Sequence, residues 1–186
     1  MRKFLVLGLA MALVAGCWRG ERRPNILLLT LDTVRADRLG CYGYTNGVTP
    51  VLDRLAAEGV LFKGMTTVAP ITLPAHATIL TGLHPPEHGL RLNGHGRLPQ
   101  GVVTVTETLQ QRGYRTGAFV ASEVLASVYG LERGFEVYDE PVGGEGTAGT
   151  LSMLPPLMAD SAPLPYRRAN VVTDAALAWL QRVGRG

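Results

Sequence analysis

The run Ile26-Leu27-Leu28-Leu29-Thr30-Leu31 constrains this chain most. It has the length of a strand, and no polar face interrupts it. Such a run reads as a central strand of a parallel sheet, covered on both faces. Asp32 follows at its C-terminal end. In open α/β sheets that edge is where ligands bind.

The downstream pattern fits the same class. Thr49-Pro50 opens a helix whose apolar face is Val51, Leu52, Leu55 and Ala56, and Gly59 stops it. Val60 to Val68 supplies another extended segment, and Pro74 to Leu80 a short helix. His84-Pro85-Pro86-Glu87-His88-Gly89 reads as a turn or loop. Thr104-Val105-Thr106-Glu107 is a capping box, opening a helix that ends at Gly113. Thr116 to Ala121 is a second buried strand, and Arg168 to Val183 an amphipathic helix. Strand, helix, helix, strand makes a layered α/β domain. With 186 residues there is room for one domain of ordinary size. An apolar share of 46% against 18% charged excludes general disorder.

The first residues read as an export signal. Arg2 and Lys3 precede an apolar run, Phe4 to Ala15, too short to span a bilayer comfortably. Small residues then lead to Cys17, as in a bacterial lipoprotein box whose cysteine is acylated. The expected organisation is a signal peptide at 1–16, an anchor stalk at 17–23 and a domain at 24–186. A Gly/Pro-rich loop at 141–165 interrupts that domain. The corresponding location is the cell envelope, periplasmic or outer-membrane, with the membrane as partner through the lipid. Removing Arg2 and Lys3 takes two from the formal charge of +3. Arg19, Arg22 and Arg23 then form a short basic stalk beside anionic lipid, and no nucleic-acid polymer is expected as a partner. Cys41 is the one other cysteine, so export brings no internal disulfide.

Four ordered blocks narrow the reading: Pro24 to Gly43, Thr49 to Phe62, Ala69 to Gly82, and Thr108-Leu109 with Gly113 to Phe119. Together they resemble the opening of bacterial sulfatase-like hydrolases of the alkaline phosphatase superfamily. The resemblance implies a layered α/β/α fold with a mainly parallel sheet, incomplete at its C-terminal end. It implies Asp32 as a metal ligand and Thr72 as both nucleophile and metal ligand. It also implies a divalent cation, calcium or zinc. Metal coordination makes a threonine hydroxyl competent to attack sulfur or phosphorus. Thr72 with Pro74 also makes a good N-cap, where free N–H groups and the helix dipole favour an anionic ester. His76 is a candidate anion contact. Arg35 and Asp37 are read as orienting the loop. His84 and His88 have metal-like spacing, but the prolines between them argue against a shared site.

The chain departs from the family pattern in three ways. Formylglycine sulfatases carry Cys or Ser, any residue, Pro, any residue, Arg; here the stretch is Thr72-Leu73-Pro74-Ala75-His76. Threonine bears a methyl on its β-carbon, so no formylglycine is expected. Thr-x-Pro-x-His looks more like the phosphodiesterase and nucleotide pyrophosphatase branch. Ala118 to Ser122 replaces a Gly-Lys-x-His block, and a later Asp-His segment is missing. The expectation is a metal-dependent hydrolase of small-molecule or glycan sulfate or phosphate esters. The alternatives are a truncated, catalytically silent lipoprotein and a relative of phosphoryl-alcohol transferases.

Overall fold

The computed structural model describes residues 23–141 and 166–184. They fall into two units divided after Val48.

The first unit contains two short 3-10 turns, Ala36–Arg38 and Gly40–Tyr42. Gly43 ends the second with φ 98°, a left-handed value that suits glycine. Arg35 clasps Asp37 through two hydrogen bonds, of 2.9 and 2.6 Å. The Arg35 guanidinium beside Asp37 holds that carboxyl below its ordinary range. Both side chains of this pair are exposed. Arg38 lies over the Tyr44 ring at 5.4 Å.

The expected first strand is absent. Residues 26–31 form no ladder and are exposed, Leu27 by 85%. An apolar run states that its residues favour burial, but a strand also needs a hydrogen-bonded neighbour. Among the described residues of this unit there is no strand to pair with.

The second unit opens with α1, Pro50–Glu58, which starts after Thr49 and stops at Gly59 as the sequence indicates. Residues 60–68 are irregular, with a turn at Lys63-Gly64, rather than the extended segment expected. Next come α2, Thr72–Thr81, and a four-residue helix α3, Pro85–His88. The prolines of α3 occupy its first turn, where their fixed φ is favourable and no N–H is needed. That is why a segment read as a loop is helical. Glu87 accepts the His84 N–H at 2.9 Å, closing the start of the turn.

The helix α4, Val105–Gln111, begins with the capping box read from the sequence. Thr104 Oγ1 accepts from the Glu107 amide at 3.1 Å, and Glu107 Oε2 accepts from the Thr104 amide at 2.8 Å. Strand β1, Gly117–Phe119, lies within the expected Thr116–Ala121 segment. It pairs in parallel with β2, Val137–Asp139, in the register Gly117 to Val137 and Phe119 to Asp139. Two 3-10 turns, Glu123–Leu125 and Ser127–Tyr129, lie along the connection. Helix α5, Ala169–Val183, closes the order.

Leu73, Ala77, Leu90, Leu98, Leu125, Tyr129 and Leu131 form the core. Two of these belong to α2, so that helix is embedded by one face. Fully burying a leucine contributes about 2 kcal/mol, so Leu73 anchors the N-terminal turn of α2 firmly. Gly117 lets α5 approach β1. A Cβ there would lie 3.0 Å from the Trp179 ring, which also meets Phe119 at a centroid distance of 6.0 Å.

The Gly/Pro-rich segment 142–165 and the signal and anchor region through residue 22, including Cys17, lie outside the described residues. No helix among the described residues is long and apolar enough to cross a membrane.

Candidate active site

Thr72 occupies the first position of α2 and is half-buried. The N-cap is Ile71, not Thr72 as the sequence indicated. Ile71 has extended dihedrals, φ −136° and ψ 135°, and its carbonyl accepts the Ala75 N–H at 3.1 Å. An isoleucine side chain offers no oxygen to the helix start. The oxygen comes from elsewhere: Asn93 Oδ1 accepts the Leu73 N–H at 2.9 Å. This narrows the expectation that free N–H groups at the helix start favour an anionic ester. The Leu73 amide is taken, and Pro74 has none. What persists is the helix dipole, positive beside Thr72.

His76 lies one turn after Thr72, and its Nδ1 is 2.8 Å from the Thr72 carbonyl oxygen. A carbonyl only accepts, so Nδ1 carries the proton. In the neutral ring the basic nitrogen is therefore Nε2. The structure thus brings Thr72 and His76 together on one helix. Asp32 belongs to the other unit, where it begins an exposed turn rather than ending a strand. Thr33 beside it has φ 57°, an uncommon value for a β-branched residue.

His84 and His88 are differently placed: His84 is exposed. The His88 ring is fully buried. Its Nδ1 accepts the Leu90 N–H at 3.1 Å, and its Nε2 is 3.1 Å from Thr78 Oγ1. Burial lowers its pKa, against weaker opposing effects of its own backbone and the Pro74 carbonyl. Nε2 thus ties α3 to α2, and Nδ1 holds the chain just beyond α3.

Among the described residues, no group of three or more His, Cys, Asp or Glu side chains gathers as a metal site. Asp32 and Thr72 alone do not meet the three protein groups a catalytic divalent ion generally takes. The described residues therefore do not make a complete cation site by themselves.

The model of one family, Sulfatase, matches residues 24–182. The chain belongs to the sulfatase family. This sulfatase-family chain is 40% identical over 105 residues to the steryl-sulfatase of Mus musculus, covering 51% of this chain and 17% of that one. It is 28% identical over 138 residues to a Delta 4,5-hexuronate-2-O-sulfatase of Bacteroides thetaiotaomicron, covering 72% and 28%. Among solved structures, the phosphonate monoester hydrolase of Agrobacterium radiobacter superposes with TM-score 0.56 at 28% identity, covering 63% of this chain and 26% of that one. The α/β fold with a parallel sheet is thus that of the alkaline-phosphatase-like superfamily. The chain spans 17% to 28% of the length of these relatives. The sulfatase family generally binds a divalent metal.

Sequence reasoning named Thr72 and His76 as candidates and did not name Asn93. Asn93-Gly94 announces a turn, but the contact that matters spans 20 residues.

Proposed function

We propose that this sulfatase-family chain carries the nucleophile of an ester hydrolase. In this reading the Thr72 hydroxyl attacks the sulfur or phosphorus of a sulfate or phosphate ester. A bond forms from Thr72 Oγ1 to that centre, and the alcohol leaves with a proton. Water then releases inorganic sulfate or phosphate and restores the threonine. One observation supports this above the others. Thr72 stands at the positive end of a helix locked into the core, with His76 one turn on and oriented by the Thr72 carbonyl. Such placement removes much of the orientational cost of attack. With both ring nitrogens protonated, His76 contacts the anionic ester group through Nε2–H, its Nδ1–H staying on the Thr72 carbonyl, and Asp32 would give one carboxylate to a divalent cation, calcium or zinc. A threonine at this position favours attack on phosphorus and excludes conversion to formylglycine. The activities of these relatives point to 2-O-sulfated hexuronates, steryl sulfates and phosphonate monoesters as substrate classes to test.

The test is turnover of p-nitrophenyl phosphate, a phosphodiester, p-nitrophenyl phenylphosphonate and p-nitrophenyl sulfate, with Zn²⁺, Mn²⁺ or Ca²⁺ added. Thr72→Ala is expected to lower the rate by at least about a thousandfold, as loss of a nucleophile does. Thr72→Ser is expected to retain activity. Activity undiminished in Thr72→Ala overturns the assignment.

Anchoring at the envelope rests on Cys17. Metabolic labelling with a radioactive fatty acid is expected to mark the chain in a bacterial host, and Cys17→Ser to abolish the label. Equal labelling of both chains removes the anchor.

A further inference from the structure

We infer that Asn93 is a positioning residue for Thr72, acting across the chain as the cap that Ile71 cannot be. The inference rests on Thr72 being the nucleophile, and it concerns what holds that nucleophile still.

The first turn of an α-helix has amides without intrahelical partners. Asn, Asp, Ser and Thr at the N-cap normally supply the missing acceptor. Ile71 fills the N-cap here, and it has no polar side-chain atom. The acceptor is Asn93 Oδ1, 2.9 Å from the Leu73 nitrogen. Leu73 is therefore held twice, by its amide and by its fully buried side chain. Thr72 is the residue immediately before it, where an uncapped helix frays first.

Asn93 is in turn well anchored. It lies between Leu90 and Leu98, both in the core. Leu90 is tied back by its amide to His88, whose ring also meets Thr78 on α2. The Leu98 N–H bonds the Tyr129 carbonyl at 2.9 Å. Between these anchors Gly94 and Gly96 have φ 73° and 83°, which lets the chain reverse tightly around Asn93. His95 Nδ1 donates to the Asn93 carbonyl at 3.1 Å. The segment from His88 to Leu98 is thus a strap fastened to α2 at Thr78 and at Leu73.

The experiment uses the full chain with Asn93→Ala, Asn93→Asp and Thr72→Ala. Hydrogen exchange of the Leu73 amide, read by NMR, is combined with kcat and KM on the best of the four esters above. Asn93→Ala is expected to speed Leu73 exchange about fivefold, the usual consequence of losing a cap. It is also expected to lower kcat about tenfold or more with KM within about twofold, since misplacing a reacting group acts on the chemical step. Asn93→Asp keeps an acceptor of the same reach beside the positive helix end and is expected to restore both. If Asn93→Ala does not fold, Asn93→Ser, whose hydroxyl falls short of Leu73, carries the same expectations. Unchanged Leu73 exchange or unchanged kcat overturns the inference. So does a rise in KM at constant kcat, which indicates substrate contact instead. Full activity in Thr72→Ala, or no turnover of any ester, removes the nucleophile reading instead. The Leu73 exchange then decides by itself whether Asn93 is the cap.

Discussion

The ring of His88 lies wholly inside the protein, and its hydrogen bonds fix its protonation. Leu90 donates to Nδ1, so Nδ1 is the acceptor and Nε2 carries the proton toward Thr78. A second proton on Nδ1 would face the Leu90 N–H. Burial therefore keeps the imidazole neutral. Its own backbone, the Pro74 carbonyl and Glu87 oppose this, and His84 reinforces it. The folded pKa lies below the ordinary 6.5, so the unfolded chain takes up the proton first as pH falls. The stability this group contributes is complete above about 6.5 and declines as pH drops from there toward the folded pKa. Urea midpoints at pH 7.5 and 5.5 are expected to differ, with the lower midpoint at 5.5. His88→Gln is expected to shrink that difference while costing stability at both values. The same residue shows where reading the sequence stops. His84 and His88 looked like a spaced pair, and only packing against Thr78 and Leu90 reveals that one of them is structural.

At the level of elements, local signals were legible and lateral ones were not. The Thr104 to Glu107 box encodes its own hydrogen bonds within four residues, and both form as read. Thr104→Ala is expected to cost about 1 kcal/mol in chemical denaturation, with faster amide exchange confined to the first turn of α4. Gly134 tests a feature no local pattern announced. Its φ is 82°, and a Cβ there would sit 2.2 Å from the Glu107 nitrogen. Gly134→Ala is expected to destabilise by about 2 kcal/mol or more, combining backbone strain with overpacking. The run at 26–31 marks the opposite limit. Its composition is that of a buried strand, but pairing depends on a partner that composition does not name. Strand β2 went unassigned for a related reason: Val137-Tyr138-Asp139 is too short to show a period, and its place comes from the parallel register with β1. Asn93 was invisible for the same cause, a contact between segments far apart in sequence. What the sequence made legible of the site was the helix bearing Thr72 and His76, because both lie within one short element.

On the scale of the second unit, α5 is joined to the sheet by two different devices. Trp179 packs over Gly117 and beside Phe119. Arg167, just before the helix, bonds the Asp139 carboxylate and the carbonyls of Val120 and Asp139, the last at 2.6 Å. Its own N–H reaches the Ala121 carbonyl at 2.8 Å. Trp179→Ala is expected to cost about 2 kcal/mol or more, as removal of a partly buried aromatic does. Limited proteolysis should then cut first within 169–183. Arg167→Lys, which lacks the planar fork, is expected to loosen the same helix without disturbing α2.

The Arg167 clasp has a consequence for continuity of the backbone. Because it grips main-chain oxygens at the ends of both strands, attachment of the last helix is expected to survive a break in the peptide link before it. A protease site inserted between 142 and 165 and cleaved after folding should leave two fragments that co-elute under native conditions and separate only in denaturant. The nicked protein would then report, by the concentration at which its pieces part, the strength of a junction that the unbroken chain conceals.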